Sequence, residues 1–249
     1  MSELTVKIDQ AAIKVFGERL EGWVGDRIPH MLMFAQGYHE QHDIQGDILE
    51  IGIHHGALFF MMAAAAREGE KCIAVDLFEN QALNVDSSGK GDLGQFSRNI
   101  DAHFPEIRDS LHVVSSDSMA IRPSQAGEIL NTRGVRLFSV DGGHTKHHVL
   151  NDLGLAQELL VGGGMILLDD FFNPHWPGVA EGFYEFMATQ NKRLAPFALL
   201  GNKLFMTTFS EQEAMLVAFR AFADASYGDE IHHRWRYATV SGFQVLTFV

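Results

Sequence analysis

A strand, a glycine turn and a helix are written into residues 47–66. Asp47-Ile48-Leu49-Glu50-Ile51 runs without a proline into Gly52 and Gly56, and every residue from Ala57 to Ala66 is apolar. An apolar segment bounded by glycines reads as a buried strand, and the run behind it reads as a buried helix, because it is too short for the roughly 20 residues that cross a bilayer. A turn of this kind at the end of a buried strand is the natural place for a cofactor.

The chemistry of the turn separates two cofactor classes. A dinucleotide needs G-x-G-x-x-G, so that its pyrophosphate rests on backbone N–H groups at a helix N-terminus. Here His54 stands where the second glycine belongs, and Glu50 adds negative charge beside any phosphate. An acidic residue followed by G-x-x-x-G suits a small cation with an ammonium group instead, and S-adenosylmethionine (SAM) is such a cation. Lys71 to Asp76 reads as the next strand and ends in a carboxylate, at about the 20-residue spacing of a ribose-hydroxyl acceptor. Asp117, after Leu111 to Ser116, is placed to accept from an adenine amino group.

Glu50, Gly52, Gly56, Asp76 and Asp117 together resemble the class I SAM-dependent methyltransferases, over about residues 46–206. His54 and His55 depart from that pattern, where small residues are commoner. The resemblance implies a Rossmann-like α/β fold, with a mostly parallel seven-stranded sheet, helices on both faces and a closing antiparallel hairpin.

The rest of the chain reads consistently with that fold. Residues 1–45 read as a helical cap, with Ala11, Ala12, Val15, Phe16 and Leu20 at helix spacing and a second apolar cluster from Met31 to Phe34. Residues 46–209 form the SAM-binding core, and residues 210–249 extend the same domain. The polar stretch Asp86 to Asp92 lies in a long loop, 79–94, that is either a lid or a solvated connection. Helices are expected over Gln95–Phe104, Ser124–Asn131, Thr145–Val161, Val179–Gln190 and Glu211–Ala225, with Gly162-Gly163-Gly164 stopping the third. Val135–Val140 and Met165–Leu168 read as strands four and five. Pro196–Leu200 and Lys203–Thr208 form the closing hairpin, and Gly242–Val249 is a strand-like tail for a sheet edge or a second subunit.

In a mostly parallel sheet ligands bind beyond the carboxyl ends of the strands, where the strand order reverses. Strand four ends in Asp141-Gly142-Gly143-His144 and strand five in Asp169-Asp170. By itself the acidic pair reads as a turn or a helix cap. Together with Asp141 it makes three carboxylates that repel one another in a cleft unless a cation sits among them. Oxygen ligands select a hard ion, Mg2+ first, with Mn2+ or Ca2+ as substitutes.

This Asp-x-x-His followed by an acidic pair resembles the metal-dependent sugar O-methyltransferases of macrolide biosynthesis, the macrocin and mycinamicin type. Catechol O-methyltransferase is a more distant relative. The resemblance implies that Asp141, Asp169 and Asp170 hold the ion and that His144 is the base; Gly143 occupies the position where some relatives carry an Asp base. The reaction implied is methyl transfer to a hydroxylated small molecule, a sugar or other vicinal diol. A metal-dependent hydrolase, a non-catalytic SAM-fold protein and an NAD-binding module are the alternatives. Asn-Pro-Pro-aromatic, the mark of base amino-group methylation, is absent after strand four.

Charge points the same way. A formal net charge of -13 disfavours a polyanionic partner, since nucleic-acid binding needs clustered Lys and Arg. Met1 to Lys7 lacks a basic segment leading into an apolar one, and the one cysteine, Cys72, lies in an apolar strand. A cytoplasmic protein with no membrane segment is therefore expected.

Overall fold

The computed structural model describes residues 2–227 and 235–248. In chain order its elements are α1 (Glu3–Gly17), α2 (Ile28–Gln41), β1 (Asp47–Ile51), α3 (Ala57–Ala63), β2 (Cys72–Asp76), α4 (Leu93–His103), β3 (Leu111–Ser115), α5 (Ala126–Ile129), β4 (Val135–Val140), α6 (Lys146–Leu159), β5 (Leu160–Leu168), α7 (Pro177–Ala188), β6 (Leu194–Leu200), β7 (Lys203–Thr208), α8 (Gln212–Tyr227), β8 (Trp235–Val240) and β9 (Phe243–Phe248). Helix starts follow capping chemistry: Ser2 accepts from the Thr5 N–H, Asp92 from the Gln95 N–H and Thr145 from the His148 N–H.

The strands form one sheet in the order β3-β2-β1-β4-β5-β7-β6-β9-β8. From β3 through β5 all neighbours are parallel, and β7 then enters antiparallel between β5 and β6. Strand order reverses between β1 and β4, whose last residues pair as Ile51 with Val140. That crevice is where such a sheet takes ligands.

Alternating strand residues feed two cores. Ile48, Ala74, Leu137 and Leu167 join α1, α2, α3 and α8 on one face, while Leu49, Ile73, Phe138 and Ile166 join α6 and α7 on the other. The first two helices therefore pack on the sheet itself. Arg136 ties them in from β4: its wholly buried guanidinium donates to both Glu70 oxygens, at 2.8 Å each, and to Gln36 on α2 at 3.1 Å.

Three expectations need correction. The sheet has nine strands rather than seven, because β9 pairs parallel with β6 and β8 pairs antiparallel with β9. The tail thus lies inside its own sheet, between β6 and β8, and β8 is the edge. Its hairpin turn, Ser241-Gly242 with φ of 50° and 87°, is the two-residue signal that marks a strand on either side. Gly162 to Gly164 do not stop a helix; α6 ends at Leu159 and the glycines lie inside β5, where a Cβ on Gly164 would press on Leu160 and the Arg136 carbonyl. Ser124–Asn131 holds only the single helical turn of α5, since Pro123 opens a 3-10 turn and Asn131 leaves in the left-handed region at φ 51°.

Among the described residues no helix is long and apolar enough to cross a membrane. Cys72 is buried, and burial pushes its thiol up to about 11, which suits a small core residue rather than a reactive one.

Candidate functional site

Beyond the carboxyl ends of β1, β2, β4 and β5 lies a cavity of about 430 Å³. Gly52, Asp76, Asp117, Asp141, His144, Asp169 and Asp170 all line it. Glu50 and Gly56 do not.

The β1 turn is shaped by backbone crowding. Gly52 has φ 89°, and a Cβ there would collide with the Asp141 carbonyl at the end of the neighbouring strand. Only glycine lets the two strand ends meet so closely. Gly56, at φ 94°, caps α3 and is pressed against Phe60 and Phe96, so its role is packing. Asp76 then binds the turn from β2. Its Oδ2 accepts the N–H groups of Ile53 at 2.7 Å and His54 at 2.9 Å, and its Oδ1 accepts that of Phe78 at 2.6 Å. Burial raises the Asp76 pKa and these donors oppose the rise. A carboxylate offers about four acceptor positions, so one is left for a ribose hydroxyl. Asp117 turns the chain after β3, accepting the Met119 N–H at 2.9 Å.

The two histidines of the turn stack on each other with centroids 3.8 Å apart, and Trp23 from the α1–α2 connection lies 5.2 Å from His54. His54 takes φ 52°, a strained value for a residue with a side chain. His54 is part of the cavity lining.

Glu50 behaves differently from expectation. It is 1% exposed and sits one residue in from the end of β1, between Ala74 and Ser139 in the sheet register. Burial first, and then the charge of Asp141, push its pKa well above the carboxylate range. It lies beneath the cavity that Asp141 and Asp169 line, and its Oε2 is buried without a hydrogen-bond partner.

The β4 and β5 ends carry the denser chemistry. Asp170 has φ 55°; its Oδ1 accepts amide hydrogens from Asn173 at 2.8 Å and Asn202 at 2.7 Å, which leaves Oδ2 facing His144 Nε2 at 3.1 Å. Asp141 Oδ1 lies 3.8 Å from the same nitrogen. On its other side His144 Nδ1 meets Asp86 Oδ2 at 2.8 Å, and Trp176 stacks on the ring with centroids 4.6 Å apart. Burial works against charge on this imidazole, but Asp141, Asp170 and Asp86 outweigh it and push the pKa up to about 11.

The ligating atoms of Asp141, His144 and Asp170 lie within 4.8 Å of one another. Asp169 is not in that group. Its Oδ1 accepts the Asp170 N–H at 2.7 Å and its Oδ2 pairs with Lys203 of β7. Lys203 is 3% exposed; burial opposes its charge, and Asp169, Asp141 and Glu50 hold it protonated. Asp169 lines the cavity with Asp141 and Asp170, but the Lys203 ammonium and the Asp170 N–H engage its two oxygens, and burial with the charge of Asp141 pushes its pKa up to about 7. Two carboxylates that keep an outward oxygen fit Mg2+, which is commonly held by one or two carboxylates with water and substrate oxygens completing its shell.

Lys203, Asp86, Asn202 and Trp176 were missed as site residues. A lone lysine opening the apolar strand Lys203-Leu204-Phe205-Met206 was the available signal for a buried ion pair. For Asp86, within a polar loop, there was none.

The comparisons with known proteins bear on the fold that carries this site. Residues 49–171 match a family model described as a methyltransferase domain. Among solved structures, the O-methyltransferase NovP superposes with a TM-score of 0.62 at 12% identity, covering 83% of this chain and 99% of that one. CalS11, a calicheamicin methyltransferase, gives 0.54 at 16% identity, with 82% and 91% covered. TomG from Streptomyces achromogenes, an O-methyltransferase solved in complex with SAM, gives 0.53 at 14% identity, with 84% and 90% covered. At such identities the likeness is one of fold. No curated protein matches the chain in sequence.

Proposed function

We propose that the chain is a class I methyltransferase that uses SAM and methylates a hydroxyl of a small molecule bearing neighbouring hydroxyls, aided by a divalent cation and by His144 as base; the methyltransferase-domain match over residues 49–171 and the likeness in fold support this reading. The observation that carries this reading is the convergence of Asp141, Asp170 and His144 in the same cavity as Gly52 and Asp76. A neighbour of the same fold is described as a TDP-rhamnose 3'-O-methyltransferase, which supports a sugar hydroxyl as acceptor.

Gly52 admits the cofactor close to the backbone, Asp76 receives its ribose and Asp117 its adenine. Bound SAM supplies an electrophilic methyl on a sulfonium. Asp141 and Asp170 would hold the cation, whose contribution is to bind the acceptor oxygens and favour the alkoxide form. Asp169 keeps the floor in place by bonding the Asp170 N–H and Lys203. His144 takes the hydroxyl proton at Nε2 while Trp176 holds its ring plane. Trp23, Leu83 and Val85 present large, exposed apolar side chains at the cavity, where a bound ligand would cover them.

The test combines SAM calorimetry with transfer of labelled methyl to a panel of sugars, catechols and isolated alcohols, with Mg2+ and with chelator. Transfer to diols that needs both SAM and the cation is the expected result. Tight NAD binding without SAM binding, or a SAM-independent hydrolysis, would overturn the reading; neither alternative is favoured by the methyltransferase match.

A further inference from the structure

Neither ring of the His54-His55 pair has a task in methyl transfer, yet both are engaged by the connection between α1 and α2, residues 18–27. At Gly22 a Cβ would meet the Cβ of Ala57, the first residue of α3, at 2.6 Å, so the backbone of the connection is pressed onto the start of that helix. Its neighbours on either side reach the histidines: Trp23 lies 5.2 Å from the His54 ring, and Glu21 Oε2 lies 3.2 Å from His55 Nδ1. One ligating atom each from Glu21, His54 and His55 lies within 4.8 Å of the other two.

The contact between Glu21 and His55 is not aligned as a hydrogen bond. Nδ1 of His54 and Nδ1 of His55 are both buried, and both lack a hydrogen-bond partner, although buried polar atoms are normally paired. A separation of 3.2 Å is, however, the spacing of two ligands on one ion: metal bonds of about 2.0 to 2.2 Å in a tetrahedral shell set neighbouring ligand atoms about 3.3 Å apart. Two imidazoles and a carboxylate suit Zn2+, whereas Mg2+ keeps to oxygen ligands. The Glu21 side chain is 71% exposed, which leaves the fourth position to water. We propose that Glu21, His54 and His55 form a second cation site, separate from the cluster of Asp141, His144 and Asp170, which takes a zinc-like divalent ion. An imidazole coordinates in its own plane, so the two rings, 3.8 Å apart and 17° from parallel, turn out of their stack about their Cβ–Cγ bonds to take the ion. Because the His54 N–H is bonded to Asp76, the ion couples the connection that carries Trp23 to the cofactor turn.

The test uses the full chain carrying Asp141→Asn and His144→Gln, which removes two ligands of the acceptor-side cluster. Zn2+ is titrated by calorimetry and Co2+ by visible absorption. One equivalent of Zn2+ bound at micromolar affinity or tighter is expected, with a Co2+ spectrum of tetrahedral strength. Adding His55→Gln should weaken Zn2+ at least about 100-fold, since outer-shell partners alone are worth about 10-fold to 100-fold and a direct ligand more. Adding Glu21→Gln instead should weaken it at least about 10-fold; that side chain is exposed, so the variant keeps the test valid should the histidine variant fail to fold. An equivalent that is absent, or that keeps its affinity in either variant that folds, overturns the site and leaves Glu21 and His55 as an ion pair. Methyl transfer is not read at any step, so this result stands apart from the acceptor reading.

Discussion

The two halves of the cavity are built by different means. On the cofactor side, Asp76 is held by N–H groups from residues 2, 22 and 23 positions away, and Gly52 is shaped by backbone alone. On the acceptor side, Asp86, Asp141, His144, Asp170 and Lys203 arrive from four separate segments and are held by one another's charges. The first is a turn that a short stretch of chain can form by itself; the second exists only when the sheet is assembled. The cofactor half should therefore tolerate changes in the acceptor half, and failures should be one-sided.

Removing the cation draws that line most sharply. Chelation is expected to abolish methyl transfer while SAM still binds in calorimetry, because Asp141 and Asp170 lie on the acceptor side; full activity in chelated protein would break the comparison. His144→Ala comes next, with a rate loss of about 100-fold to 10,000-fold, the range for a positioned base, and SAM affinity nearly unchanged. Single-turnover transfer measures it.

Stability should divide along the same line. Lys203→Met leaves Asp169, Glu50 and Asp141 without their buried cation, and losing one partner of such a pair typically costs about 3 to 5 kcal/mol. Urea unfolding at neutral pH would show it, and a variant as stable as wild type would mean the lysine compensates nothing. Asp76→Ala strikes the other half. It should weaken SAM binding by about 1 to 3 kcal/mol through the lost ribose acceptor and the three N–H groups left unpaired, and methyl transfer at saturating SAM should recover most of its rate.

The most gradual effect is in pH, spread over several units. In chelated protein the His144 pKa lies near 11 against an ordinary 6.5. A raised folded-state value stabilises fully below the unfolded value and is lost as pH climbs toward the folded one. Stability should decline from about pH 6.5 to 11, by no more than about 1.4 kcal/mol per pH unit for one proton. Asp86 and Asp170, whose pKa values are held below the carboxylate range against the pull of burial, work at the other end, losing their contribution as pH falls through the acid range. Thermal melts of wild type and His144→Gln across that range would separate the two, and an equal alkaline decline in both would remove His144 as its cause.

Much of this was legible in the chain. The βα turn at Gly52, the carboxylates at four strand ends and the closing hairpin follow from periodicity, glycine placement and spacing, and the structure brings most of those residues to one cavity. Three positions show what was not legible. Glu50 has the expected spacing, but its burial one residue in from the strand end is set by the sheet. Asp169 has the expected place and a different partner. Asp86 sits in a stretch with no pattern at all.

Sequence alone determined where the backbone must turn and which face of each strand is apolar, because those properties depend on a few adjacent residues and their steric limits. Only tertiary structure decided which charges meet. Lys203 reaches Asp169 across 34 residues and Asp86 reaches His144 across 58. Those pairings are settled by sheet register, loop path and the exclusion of water, and a charge in a linear chain carries no record of its depth or of the opposite charge it will face.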